Sequence, residues 1–114
     1  MTTTDVIARA DELRINSVGD EQKARWVFEL ECRIAEIMGE AEPTWVFPSE
    51  EELLLTDRFE GVYLQYLMAM IDMAQGEGEE YVNDKAVFDQ YFAEWKAWWI
   101  RNHRPAASGN WRVL

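Results

Sequence analysis

The chain has 114 residues, enough for one hydrophobic core and too few for two. Apolar residues make up 48% and aromatics 13%, which excludes intrinsic disorder as the overall class. The net charge of −11 is unevenly distributed: residues 1–95 hold all 22 acidic residues against seven Lys and Arg, a net −15, whereas residues 96–114 hold Lys96, Arg101, Arg104 and Arg112 and no acid. Such a body repels a phosphate backbone, and its basic end attracts an acidic partner.

Thr4 and Asp5 read as the start of a first helix, with Thr4 as N-cap and Val6, Ala10 and Leu13 as a short apolar stripe flanked by Ile7. The stretch RINSVGD breaks that pattern. Asp20 then caps a longer helix in which Val27, Leu30, Ile34, Ile37 and Met38 recur at helical period beside Trp26, and Gly39 ends it. From Glu40 to Thr56 the prolines, the run Glu50 to Glu52 and the anchor Leu53-Leu54-Leu55 predict a long connection that wraps the bundle.

Asp57 with Glu60 three residues on resembles a capping box opening a third helix. That helix carries Phe59, Val62, Tyr63, Tyr66, Leu67, Met70 and Ile71 on one side and Leu64 and Met68 on another, so it is either the centre of a bundle or the surface that meets another subunit. Gly76-Glu77-Gly78 is the elbow of a helical hairpin. A fourth helix, from about Glu79 to Arg101, has Tyr81, Phe88, Tyr91, Phe92, Trp95 and Trp98 or Trp99 along its stripe, and Pro105 fixes its end. Val62, Tyr66, Met70, Phe88, Tyr91 and Trp95 are the expected hairpin core. The architecture expected is all-α: a four-helix domain over residues 1–104 with a C-terminal helical hairpin, followed by a flexible tail at 105–114.

Known chemical signatures find no match. One His and one Cys cannot build a zinc site, and a di-iron bundle needs two Glu-x-x-His pairs where His103 is the only histidine. The clusters Glu50 to Glu52 and Glu77 to Glu80 lack the alternating ligands and closing Glu of a calcium loop and read as solvated faces. Ser17, Ser49 and Ser108 lack a nucleophile elbow, and the Gly76-Glu77-Gly78 elbow is too short and too acidic to cradle phosphate. Cys32 reads as an inert core thiol. No catalytic residue, cofactor or metal is expected.

No run approaches the roughly 20 apolar residues of a membrane span, and the first residues lack the features of a signal peptide, so the expected compartment is cytoplasmic, with no membrane partner. Adjacent Trp98 and Trp99 are about 100° apart on a helix, so one of them points away from the core. Together with Arg101, Arg104, Trp111, Arg112, Val113 and Leu114, and with Leu64 and Met68 on the second face of the third helix, they form the expected interface, because exposed Trp and Arg anchor protein contacts.

The order of these features resembles a known family. Asp20, Glu21, Lys23, Trp26, Leu30, Glu31, Arg33 and Ile34, then Leu53-Leu54-Leu55 before Asp57, Tyr63, Tyr66-Leu67-Met68-Ala69, Ile71-Asp72, Gly76, Glu79, Tyr81, Asn83 and the ending Asn102-His103-Arg104-Pro105 resemble the small head-tail connector, or adaptor, proteins of tailed phages and prophages of Gram-positive bacteria. The chain departs from their pattern at Thr56, where a proline is common, and in its ending Trp111-Arg112-Val113-Leu114. The resemblance implies a virion protein, assembled in the host cytoplasm, that forms a homo-oligomeric ring, a dodecamer in the virion. It implies docking on the portal protein, a surface for a tail-completion or stopper protein, and a channel through which DNA passes without specific binding. Two other classes also fit part of the sequence: an acidic DNA mimic that inhibits a DNA-processing enzyme, and a carboxylate-metal enzyme.

Overall fold

A computed structural model describes residues 1–103; Arg104 and the expected tail at 105–114, with Trp111, Arg112, Val113 and Leu114, lie outside them. Among the described residues the chain is all-helical: α1 (Thr3–Leu13), α2 (Asp20–Met38), α3 (Glu60–Ala74) and α4 (Gly78–Asn102), with a single 3-10 turn at Asp57–Phe59. Among the described residues no helix is long and apolar enough to cross a membrane.

The helix ends differ from the sequence expectation at three starts. The cap of α1 is Thr2 rather than Thr4, because Asp5 lies three residues after Thr2 and completes a reciprocal box: the Asp5 N–H donates to Thr2 Oγ1 at 3.2 Å and the Thr2 N–H donates to the Asp5 carboxylate at 2.9 Å. Gly19 precedes α2, placing Asp20 and Glu21 in the first turn, where their charge favours the helix dipole instead of capping it. No side chain caps α3; the Phe59 N–H donates to the Thr56 carbonyl at 2.8 Å, and the resulting 3-10 turn leads into the helix. The two expected glycine stops hold. Gly39 and Gly76 take φ of 73° and 75°, the left-handed region that glycine enters without strain.

The third helix is the centre of the bundle, in contact with α1, α2 and α4. Val62, Tyr63, Leu67 and Ile71 are fully buried there, meeting Val6 and Ala10 of α1, Val27, Leu30 and Ile34 of α2, and Phe88, Phe92 and Trp95 of α4 within one core. Leu64 and Met68 were expected to face another subunit, but they are only 7% and 8% exposed within this chain. Both faces of α3 are covered because α1 and α2 close over the side that α4 leaves open.

The α3–α4 hairpin is antiparallel, with Phe59 against Trp98, Gly61 against Tyr91 and Tyr66 against Phe88. Phe88, Phe92, Trp95 and Trp99 stack in succession along α4 at centroid separations of 5.3, 5.8 and 6.3 Å. Of the expected hairpin core, Val62, Phe88 and Trp95 are buried and Tyr66 and Met70 half-buried. Tyr91 is a correction: it is 38% exposed, lying over Gly61, where an added Cβ would meet its ring at 2.8 Å. The 3.6-residue period turns position 91 away from the line through Phe88, Phe92 and Trp95.

The connection between α2 and α3 has no regular structure and is held by side chains from the helices. Trp45 packs edge-on against Phe28 and lies under the Arg25 guanidinium, 3.9 Å from the ring centre. Leu55 enters the core, and the Leu53 N–H donates to the Met1 carbonyl at 2.9 Å beside an isolated bridge between Thr2 and Glu52.

Candidate interaction surface

Three groups of polar or aromatic side chains stand out from the packing. The first pins the connection. Buried Glu31 accepts hydrogen bonds from the Tyr63 hydroxyl at 2.5 Å and from the Leu54 N–H at 2.7 Å, and the Leu55 N–H donates to the same hydroxyl at 3.1 Å. Burial pushes the Glu31 carboxyl above its usual range against the pull of these donors, and burial with the nearby carboxylate raises the Tyr63 phenol strongly. This network joins α2 to α3 and to residues 54 and 55.

The second group lies beside the elbow. Arg14 donates to Asp72 at 3.1 Å and to Asp84 at 2.8 Å, tying the end of α1 to α3 and α4. Asp72 is fully buried, and its Oδ2 has no hydrogen-bond partner among the described residues. Burial, the Asp84 side chain and Glu80 raise its carboxyl to about 7, with Arg14 opposing them. On the other side of α1, buried Lys23 donates to Asp11 at 2.8 Å. Burial works against ionisation of Asp11, but Lys23 and Asn16 outweigh it and hold the carboxyl below its usual range.

The third group is open to solvent. Helix α4 has 25 residues to the 15 of α3, about 37 Å against about 22 Å, so its last turns run past the start of α3. Between that overhang and the 3-10 turn lies an open cleft of about 560 Å³ lined by Arg58, Phe59, Gly61, Val62, Tyr91, Glu94, Trp98 and Arg101. Phe59 and Trp98 pack at 5.0 Å, and the Arg58 guanidinium lies 5.0 Å from the first ring and 5.7 Å from the second. Beyond it Trp99 stacks on His103, whose Nδ1 is 2.9 Å from the Trp99 carbonyl oxygen. The cleft can take up an apolar or aromatic group together with carboxylates.

Of the residues expected at the interface, Trp98 and Arg101 line this cleft, and Trp99 is half-buried beside it. Both tryptophans touch the core, so neither points wholly outward. Leu64 and Met68 lie elsewhere, buried. Arg58, Phe59 and Tyr91 belong to the cleft, yet sequence reasoning gave them no interface role. The one available signal was the pair Arg58-Phe59 at the start of a helix antiparallel to the Trp98–Arg101 end. Glu31 and Lys23 were equally missed, although both fall on the apolar stripe of α2, four residues either side of Val27.

Among the described residues no cluster of His, Cys, Asp and Glu could hold a metal ion. Glu50, Glu51 and Glu52 and the elbow acids Glu77, Glu79 and Glu80 are exposed. Cys32 is half-buried, and burial with Glu42, Glu31 and Glu29 nearby raises its thiol above the usual range, which disfavours the reactive thiolate. Comparison of the chain with protein-family models, with curated proteins and with solved structures finds no match.

Proposed function

We propose that this chain is a non-enzymatic structural subunit, a head-tail connector of a tailed phage or prophage that assembles as a ring on the portal protein and extends the channel for DNA. The observation that carries the reading is the overhanging end of α4, which holds Trp98 and Arg101 in an open aromatic and basic cleft on a body where residues 1–103 carry nine basic against 22 acidic residues. Aromatic and arginine side chains in a partly open site are what protein interfaces use as anchors. An acidic remainder suits a wall past which DNA must slide without sticking. The sequence resemblance to adaptor proteins of Gram-positive phages, carried by the positions from Asp20 to Pro105, points to the same role.

The test is binding to portal rings encoded by the same genome. The full chain should co-sediment with them and add a ring of density at one end in electron micrographs, with affinity falling as salt rises. Absence of binding at low salt rejects the connector reading. Competition with DNA for a nuclease or a repressor would point instead to a DNA mimic, the role that the strongly acidic body alone would favour.

A further inference from the structure

The two ends of the α3–α4 hairpin are chemically complementary. At one end the cleft presents Arg58 and Arg101 against one carboxylate among its described lining residues, Glu94, over an apolar floor that includes Val62 and Trp98. At the other, the elbow presents exposed Glu77, Glu79 and Glu80, flanked by Met73 at 50% and Val82 at 63% exposure. No basic residue occurs in the sequence between Arg58 and Lys85, and Lys85 is already paired with Asp89 at 2.7 Å. The elbow also protrudes: a Cβ built on Gly76 or Gly78 would meet nothing within 4 Å. Each end therefore offers what the other lacks, two guanidinium groups with an aromatic floor against three carboxylates with two apolar side chains.

They cannot meet within one chain. Glu80 and Arg101 are separated by about 30 Å along a continuous helix. We infer that the cleft around Arg58, Trp98 and Arg101 receives the Glu77–Glu80 elbow of a second copy of this chain, forming a head-to-tail contact. Two different patches meeting in this way give a heterologous interface, which repeats until rotation closes it into a ring. The contact presupposes the ring proposed above and names the surfaces that build it. The charged pairs lie in an open cleft, so they set register and association rate more than total affinity, and salt weakens them.

Reciprocal charge reversal tests it. One variant carries Arg58→Glu and Arg101→Glu, the other Glu79→Lys and Glu80→Lys; all four side chains are exposed, and circular dichroism checks that both variants keep the helical content of the parent. Sedimentation velocity across concentrations up to the solubility limit should show self-association of the parent, weakened at least about tenfold in each variant alone and restored in their equimolar mixture, where acidic cleft meets basic elbow. A parent that stays monomeric throughout, a reversed variant that associates like the parent, or a mixture that fails to recover overturns the contact. Portal binding is measured on the same proteins, which separates the two ideas: intact portal binding with undisturbed self-association in the reversed variants rejects this contact alone, whereas restored mixing without portal binding rejects the connector reading and leaves the contact standing.

Discussion

The first 56 residues and the α3–α4 hairpin reach a fixed structure by different means. In the hairpin, aromatic spacing along one helix places Phe88, Phe92 and Trp95 against α3, and the order of contacts follows from the elbow. In the first part, the 17-residue stretch from Glu40 to Thr56 has no helix or sheet to order it, and a buried carboxylate and phenol hold its last residues instead. Non-directional burial is enough where a helix already sets the geometry, whereas a bare segment needs directed hydrogen bonds whose donors cannot turn back to water.

The largest break in this comparison should come from Trp95. Truncation to Ala removes a fully buried ring from the aromatic line and should cost about 3–5 kcal/mol in chemical denaturation, while Tyr91→Ala, on a ring more than a third exposed, should cost only about 1 kcal/mol. Equal losses for the two would contradict the assignment of faces on α4. Next in size is the pin on the connection. Tyr63→Phe leaves Glu31 without its strongest donor and the Leu55 N–H without an acceptor, and should cost about 1–3 kcal/mol. Hydrogen exchange should rise at the amides of Leu54 and Leu55 before it rises in α4; a uniform rise across the chain would mean that the pin is no more local than the core.

The last effect is confined to one part of the pH range. The Asp72 carboxyl sits above its ordinary value in the folded chain, at about 7 against 3.8, so between those values the unfolded chain loses its proton while the folded chain keeps it. The stability this group contributes is complete below about pH 4 and is lost as pH rises through 7. Asp72→Asn should flatten that part of the profile and raise the melting temperature at pH 8 relative to pH 5, compared with the parent. Glu31 is shifted in the same direction, so the difference between variant and parent, not the parent curve, isolates Asp72. Parallel curves for the two proteins would remove Asp72 from the account.

This contrast also explains what could be read from the sequence. The helices, the glycine stops at 39 and 76 and the hairpin are local in origin, set by periodicity and by residues that terminate a helix, and they were legible. Tyr91 was misassigned because a stripe read at three- and four-residue steps admits either neighbour of the true line. Leu64 and Met68 were expected on an open face because the sequence of α3 does not reveal that α1 and α2 fold over its second side. Of the cleft, only Trp98 and Arg101 are legible, conspicuous near the end of α4. Arg58, Phe59 and Tyr91 join them only through the antiparallel register of the hairpin, a long-range property.

The elbow itself is closed entirely by main chain. The Glu77 N–H donates to the Asp72 carbonyl at 2.9 Å and the Gly76 N–H to the Met73 carbonyl at 3.2 Å, while Gly76 supplies the left-handed turn. None of the three glutamate side chains there takes part in holding the loop. Their effect on folding is limited to the helix dipole at the start of α4 and, for Glu80, to the field at Asp72, so substitutions at 77, 79 and 80 carry a smaller stability cost than changes in the core. If the elbow seats in the cleft of a second copy, as inferred above, divergence at these positions between related chains would bias co-expressed variants toward pairing like with like.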